Sequence, residues 1–223
     1  MMSKIQTQSS TQFFQLKLRY LVAITAIIWL VCFSLPQPAL AHHALGSKIP
    51  SNFFEGFISG LAHPLIGLDH FAFVVAIGLL AAGQIRGAWL PAGFVIAAMA
   101  GTGIHLLKLN LPANESAIAI SVIAFGAMLV VQNRPNWIVL AFLAASAGLF
   151  HGYAYGEAIV GAQMTPLLAY LLGFSIIQYG VALVVYAITS AVLTTNSSLP
   201  WLRLAGLAIC SVGVVFLTSS IMG

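Results

Sequence analysis

The chain has 223 residues, of which 61% are hydrophobic and 5% charged, and its mean hydropathy is +1.03. A soluble domain carries about 25% charged residues, so this chain lacks the polar coat that would keep it in water. Its apolar runs are continuous and at least five approach the length of about 20 residues that crosses a bilayer, which points to a helical membrane bundle and not a barrel.

The first segment, residues 1–41, is expected to be a cleaved secretory signal. Lys4, Lys17 and Arg19 give a basic start, residues 21–35 a short apolar run, and Ala39-Leu40-Ala41 a small-residue cleavage site after Pro36-Gln37-Pro38. Cys32 does not suggest a lipoprotein, because bulky Val31 precedes it. Beyond the leader, five basic residues (Lys48, Arg86, Lys108, Arg134, Arg203) face four acidic ones, so the formal net charge falls from +4 to +1. With no basic patch, nucleic acid is not an expected partner. Cys210 alone remains, which excludes an internal disulfide beyond the leader.

Residues 42–223 are expected to form one all-α domain of about six transmembrane helices. The expected spans are 53–82, 89–107, 116–131, 137–150, 166–187 and 201–222. Turn-forming residues separate them, at 83–87, 111–114, 132–135 and 195–198. Trp89, Trp137 and Trp201 each open a span, as interfacial anchors do. A cleaved leader puts His42 on the outer side. Arg86, Arg134 and Arg203 then face inward and Lys48 and Lys108 outward, in the sense of the positive-inside rule. The plasma membrane is the expected site.

The chemistry concentrates in two segments. The first, His63-Pro64-Leu65-Ile66-Gly67-Leu68-Asp69-His70, lies in the first span. Pro64 removes a backbone donor and Gly67 loosens the turn after it, so the helix is expected to kink or break near His63. On an unbroken helix His63 and His70 would stand about 10 Å apart along the axis, too far to share an ion. A break would bring them closer, a device of transporters with discontinuous helices. Asp69 would supply an anionic ligand or orient a histidine; the plainer alternatives are a pair with Arg86 or a cap on the half-helix. The second segment, His151-Gly152-Tyr153-Ala154-Tyr155-Gly156-Glu157, is expected to leave the fourth span and make a tight exposed turn through its glycines. His42 would add an imidazole beside a free α-amine, next to His43. His105 is expected only to hydrogen-bond a neighbouring helix.

Ionisable groups inside a bilayer are costly and mark ion or substrate paths. Imidazole with carboxylate suits a borderline divalent metal, whereas the scattered methionines give no thioether site for Cu(I). No phosphate-binding Gly-rich loop and no H-E-x-x-H occurs, so neither ATP-driven pumping nor metallohydrolysis is expected, and the chain is not expected to be an enzyme. An intramembrane metalloenzyme, a haem carrier with two axial histidines and a non-transporting metal sensor are the rival classes. No prosthetic group is expected.

The pattern resembles the hydrogenase/urease accessory membrane proteins of the HupE/UreJ family. That family carries His-Pro-x-x-Gly-x-Asp-His, matched by residues 63–70, and His-Gly-x-Ala-His-Gly-x-Glu, matched at His151, Gly152, Ala154, Gly156 and Glu157. Tyr155 stands where the family usually has histidine. Leu90-Pro91 and the histidines after the leader are similar too. The resemblance implies a secondary permease importing Ni²⁺ or Co²⁺ as substrate, serving nickel enzymes or cobalamin synthesis. It implies metal-handling roles for His63, Asp69, His70, His151 and Glu157, to which His42 is added here, and it leaves a homo-oligomer open.

Overall fold

A computed structural model describes residues 48–131, 135–195 and 200–222. The expected leader, His42, His43 and Arg134 lie outside the described residues. Seven helices are described: α1 (Phe53–Ile66), α2 (Leu68–Ala81), α3 (Trp89–Leu106), α4 (Asn114–Val130), α5 (Trp137–Glu157), α6 (Met164–Thr195) and α7 (Pro200–Met222). No strand occurs among the described residues.

The start of α1 is fixed by reciprocal capping. The Asn52 side chain accepts from the Glu55 amide, and the Glu55 carboxylate accepts from the Ser51 amide and hydroxyl. This satisfies amide groups that the first helical turn leaves without partners. The helix then runs through Pro64 and stops at Gly67. The break thus falls three residues beyond the proline. Pro64 removes only the donor that would have reached back four residues, and Gly67 N–H still bonds to His63 O at 3.1 Å. Gly67 turns out of the helix with ψ 102°, and α2 restarts at once, with Phe71 N–H on Gly67 O at 2.8 Å. The axes of α1 and α2 differ by 79°.

Beside this bent pair, α3, α5, α6 and α7 are each long and apolar enough to cross a membrane, so length and composition give up to five crossings. The remaining expected crossing, 116–131, corresponds to α4, which has only 17 residues, or about 26 Å of helix.

Several helix pairs approach closely through glycines. Between α1 and α6, Gly60 faces Tyr170 O and Gly173 faces Phe57 O. Between α3 and α5, Gly101 faces Leu149 O, Gly148 faces Phe94 O and Gly152 faces Ala98 O. Between α4 and α7, Gly126 and Gly206 face each other's backbone. Small residues let membrane helices touch backbone to backbone, which gives dispersion contacts that larger side chains would hold apart. Thr102 adds a polar tie from α3, with its hydroxyl 2.7 Å from Gly152 O on α5.

The central element is α2, which packs on α1, α3, α4, α6 and α7. Of its 14 residues, 11 are buried, as expected of a helix that is apolar all round. The outer helices turn Ile96, Phe142, Leu172, Val184 and Val214 outward. Such an apolar exterior around a buried centre is what a lipid solvent requires, and the described domain is that of an integral membrane protein.

Two expectations need correction. The 151–157 segment is not an exposed turn: α5 continues unbroken to Glu157, and Gly152 and Gly156 are buried inside it. The glycines serve helix contact, Gly152 on the Ala98 backbone and Gly156 on His105. His105 does not bond across to a neighbouring helix either. Its ring packs edge-on against Tyr153 at 4.4 Å between centroids, and its Nδ1 is buried without a hydrogen-bond partner.

Candidate functional site

The two expected segments meet. Because α1 ends at Ile66 and α2 begins at Leu68, His63 lies in the last turn of one helix and His70 in the first turn of the next. The continuation of α5 carries His151 to the same place. The Nδ1 atoms of His70 and His151 are 2.8 Å apart. The His63 and His70 rings are 5.9 Å apart between centroids. All three imidazoles are buried, with His151 0% exposed.

Asp69 is 7% exposed, and its Oδ1 accepts from the His70 amide at 2.8 Å. Of the four roles considered for it, this contact is nearest the cap on the half-helix, although it is made inside the first turn and not from the N-cap position, Gly67. A carboxylate is favoured there by the partial positive charge of a helix N-terminus. Arg86 follows the far end of α2 and lies over the Trp137 ring at 5.8 Å, while the Trp137 indole donates to Arg86 O. It is therefore not Asp69's partner.

Tyr155 is the unexpected member. It is fully buried, one helical turn beyond His151, and its ring touches both His63 (5.1 Å between centroids) and His70 (4.6 Å). Its hydroxyl donates to Gln178 Oε1 at 2.9 Å, and Gln178 Nε2 donates to Phe174 O. Tyr170 bridges the same region, with its hydroxyl donating to Tyr155 O and lying 3.0 Å from His63 Nδ1. Ser121 on α4 lies 3.0 Å from His151 Nε2. Phe73 and Phe94 close over His151, with ring centroids 4.5 and 5.7 Å away. The result is a polar core of side chains from α1, α2, α4, α5 and α6, sealed by aromatic rings.

Glu157 is not in this core. It is exposed at the end of α5, six residues past His151, which is about 9 Å along the axis and roughly 120° round it. His42 lies outside the described residues. No group of three or more His, Cys, Asp or Glu among the described residues is arranged to hold one metal ion. The His70 and His151 imidazoles face each other through Nδ1. Chemically the core offers imidazole nitrogens, one carboxylate and the hydroxyl and amide groups of Ser121, Tyr155, Tyr170 and Gln178.

Sequence reasoning passed over Ser121, Tyr170 and Gln178. Gln178 carried the clearest signal, an amide deep in an apolar run, since polar side chains in membrane helices face the interior.

A sequence model of the HupE / UreJ protein family matches residues 30–216. The chain belongs to the HupE/UreJ family. It is 30% identical over 143 residues to "Protein HupE" of Rhizobium leguminosarum bv. viciae, a match covering 63% of this chain and 71% of that relative. No solved structure matches. The buried histidines of α1, α2 and α5 thus belong to a HupE/UreJ membrane domain.

Proposed function

We propose that this HupE/UreJ protein is a secondary permease that carries a divalent transition-metal ion, Ni²⁺ or Co²⁺, into the cell. One observation carries the reading: imidazoles from three helices, with a carboxylate beside one of them, gather at a break in a membrane helix pair. Ionisable groups are expensive in lipid and are retained where they serve an ion path. A discontinuous helix with ligands at its break is a recurrent transporter design.

In this reading His63 and His70 are nitrogen donors and Asp69 offsets part of the cation's charge, which lowers the cost of entry into low dielectric. His42 captures the hydrated ion outside, and Glu157 acts at the end of α5, apart from the imidazoles. The membrane potential drives inward movement of a divalent ion.

The test is flux of radiolabelled Ni²⁺ or Co²⁺ into proteoliposomes. Wild-type protein is expected to take up the ion. His70→Ala and Asp69→Asn are expected to fall below about a tenth of that rate, an affinity loss of the size seen when ligands or their orienting partners are removed. Wild-type rates in both variants would remove the site from the mechanism, and binding without flux would make the protein a sensor.

A further inference from the structure

We propose that a cavity at one end of the bundle, between the α3–α4 and α5–α6 connections, binds a phosphate-bearing anion through Lys108. This site stands apart from the proposed transport, since no residue of the imidazole core lines the cavity.

The cavity measures about 430 Å³, within the range of about 300–1,000 Å³ usual for small-ligand sites. Its polar wall is made by His105, Lys108, Asn110 and Tyr153, and its apolar wall by Leu106 and Val160. No Asp or Glu among the described residues lines it. The one full charge in the wall is therefore positive. An ammonium has three hydrogens to donate and no lone pair to offer, and the Asn110 amide and Tyr153 hydroxyl can donate as well. The Tyr153 ring is held at the wall by its edge-on contact with His105, 4.4 Å between centroids. Donors arriving from two helices and a connection suit an anion with several acceptor oxygens, as a phosphate has.

The backbone at Lys108 points the same way. Its φ is 59°, a left-handed conformation that costs any residue with a Cβ. Lys108 stands just past the end of α3, where glycine is the usual residue. Its N–H bonds to His105 O at 2.8 Å, and Leu109 N–H reaches back to Ile104 O at 3.2 Å. A lysine can serve a helix end by satisfying the last carbonyls. Here Gly103 O, Ile104 O and His105 O already accept from the amides of Leu107, Leu109 and Lys108. The ammonium thus sits at a strained position without being needed to close the helix, and strain of this kind gathers at binding sites.

The phosphate has two sources. Leu107 and Leu109 flank Lys108 and are exposed apolar side chains, so a phospholipid could place its headgroup in the cavity and its chains in the bilayer. Free phosphate presents the same oxygens.

Thermal unfolding of the full-length protein, stripped of lipid in detergent, tests the site with three probes: inorganic phosphate, a phosphatidylglycerol, and a diacylglycerol of the same chains. At least one phosphate-bearing probe is expected to raise Tm, and diacylglycerol is not. A rise with inorganic phosphate supports a site for the free anion; a rise with phosphatidylglycerol alone supports a headgroup site. No rise with either, or an equal rise with diacylglycerol, overturns the proposal.

Two variants remove the charge. Lys108→Gly relaxes the turn, so it is expected to unfold no earlier than wild type without a probe. Lys108→Gln keeps the strained backbone and loses only the ammonium. Both are expected to bind the effective probe about 10–100-fold more weakly, as loss of one hydrogen bond to a charged group implies. Phosphate stabilises many proteins by exclusion from their surface. A rise in Tm that persists undiminished in Lys108→Gln therefore overturns the site, whatever Lys108→Gly does.

Discussion

Tyr155 shows how a single residue can be placed by chemistry that is invisible along the chain. Its phenol lies against two imidazoles and spends its hydrogen on Gln178, 23 residues away. Tyr155→Phe keeps the ring contacts but leaves the Gln178 oxygen buried without that donor. The expected cost is about 1–3 kcal/mol, the usual penalty for an unsatisfied buried acceptor. Denaturant unfolding in detergent checks it, and Tyr155→Phe combined with Gln178→Leu should recover most of the loss, because an apolar pair leaves nothing unsatisfied. At this scale the sequence showed which side chains were out of place in lipid, and His63, His70, Asp69 and His151 stood out for that reason. It did not show which of them touch. Contact between His70 and His151 depends on where α1 breaks and where α5 ends, and both are decided by packing. Glu157 illustrates the difference: it shares a motif with His151, yet the period of the helix turns it away.

Glycine position is legible one helix at a time only as composition. Residues 151–157 looked like a turn because glycine flanks two tyrosines, but a turn and a close helix contact make the same demand for a missing Cβ. The structure separates them. Gly148, Gly152 and Gly156 fall four residues apart on the α5 face that meets α3, whereas Gly93 has open space where its Cβ would be. Gly152→Ala would drive a methyl into the Ala98 backbone, with an expected loss of about 1–3 kcal/mol, typical of overpacking. Gly93→Ala should instead stabilise by up to about 1 kcal/mol through helix propensity. Thermal unfolding of the two variants side by side measures the contrast. The break in the first pair was foreseeable in kind but not in place. A proline breaks a helix only if the surroundings do not hold it straight, and here the bond from Gly67 N–H to His63 O survives. The chain turns at Gly67 because that residue alone leaves room for the ring of His70, whose Cδ2 would lie 2.7 Å from an added Cβ.

For the whole molecule, composition was sufficient to give the class. So low a share of charged side chains leaves lipid as the only comfortable solvent, and the described helices accordingly turn apolar faces outward and converge on α2. Ile96 is 68% exposed on α3. Ile96→Lys is expected to cost about 2.5–3.5 kcal/mol of insertion if that face lies at mid-membrane. The fraction of protein resisting carbonate extraction reports it, and a Lys at Ile85, 103% exposed in the α2–α3 connection, should be harmless.

The 79° bend also ties the depth of Gly67 to the sidedness of every loop that follows. Each half has 14 residues, or about 21 Å of rise, against a hydrocarbon layer of about 30 Å. Two such rods, hinged at that angle, rise furthest, about 32 Å, when both lean about 40° from the normal. The hinge then rests midway, and the chain emerges opposite to where it entered. If instead one rod stands along the normal, the other lies almost flat, the hinge sits toward one leaflet, and the pair rises only about 25 Å, short of the far face. A spin label at residue 67, read by its collision rates with oxygen and with a water-soluble relaxant, would thereby tell whether the segments before α1 and after α2 lie on opposite faces of the membrane.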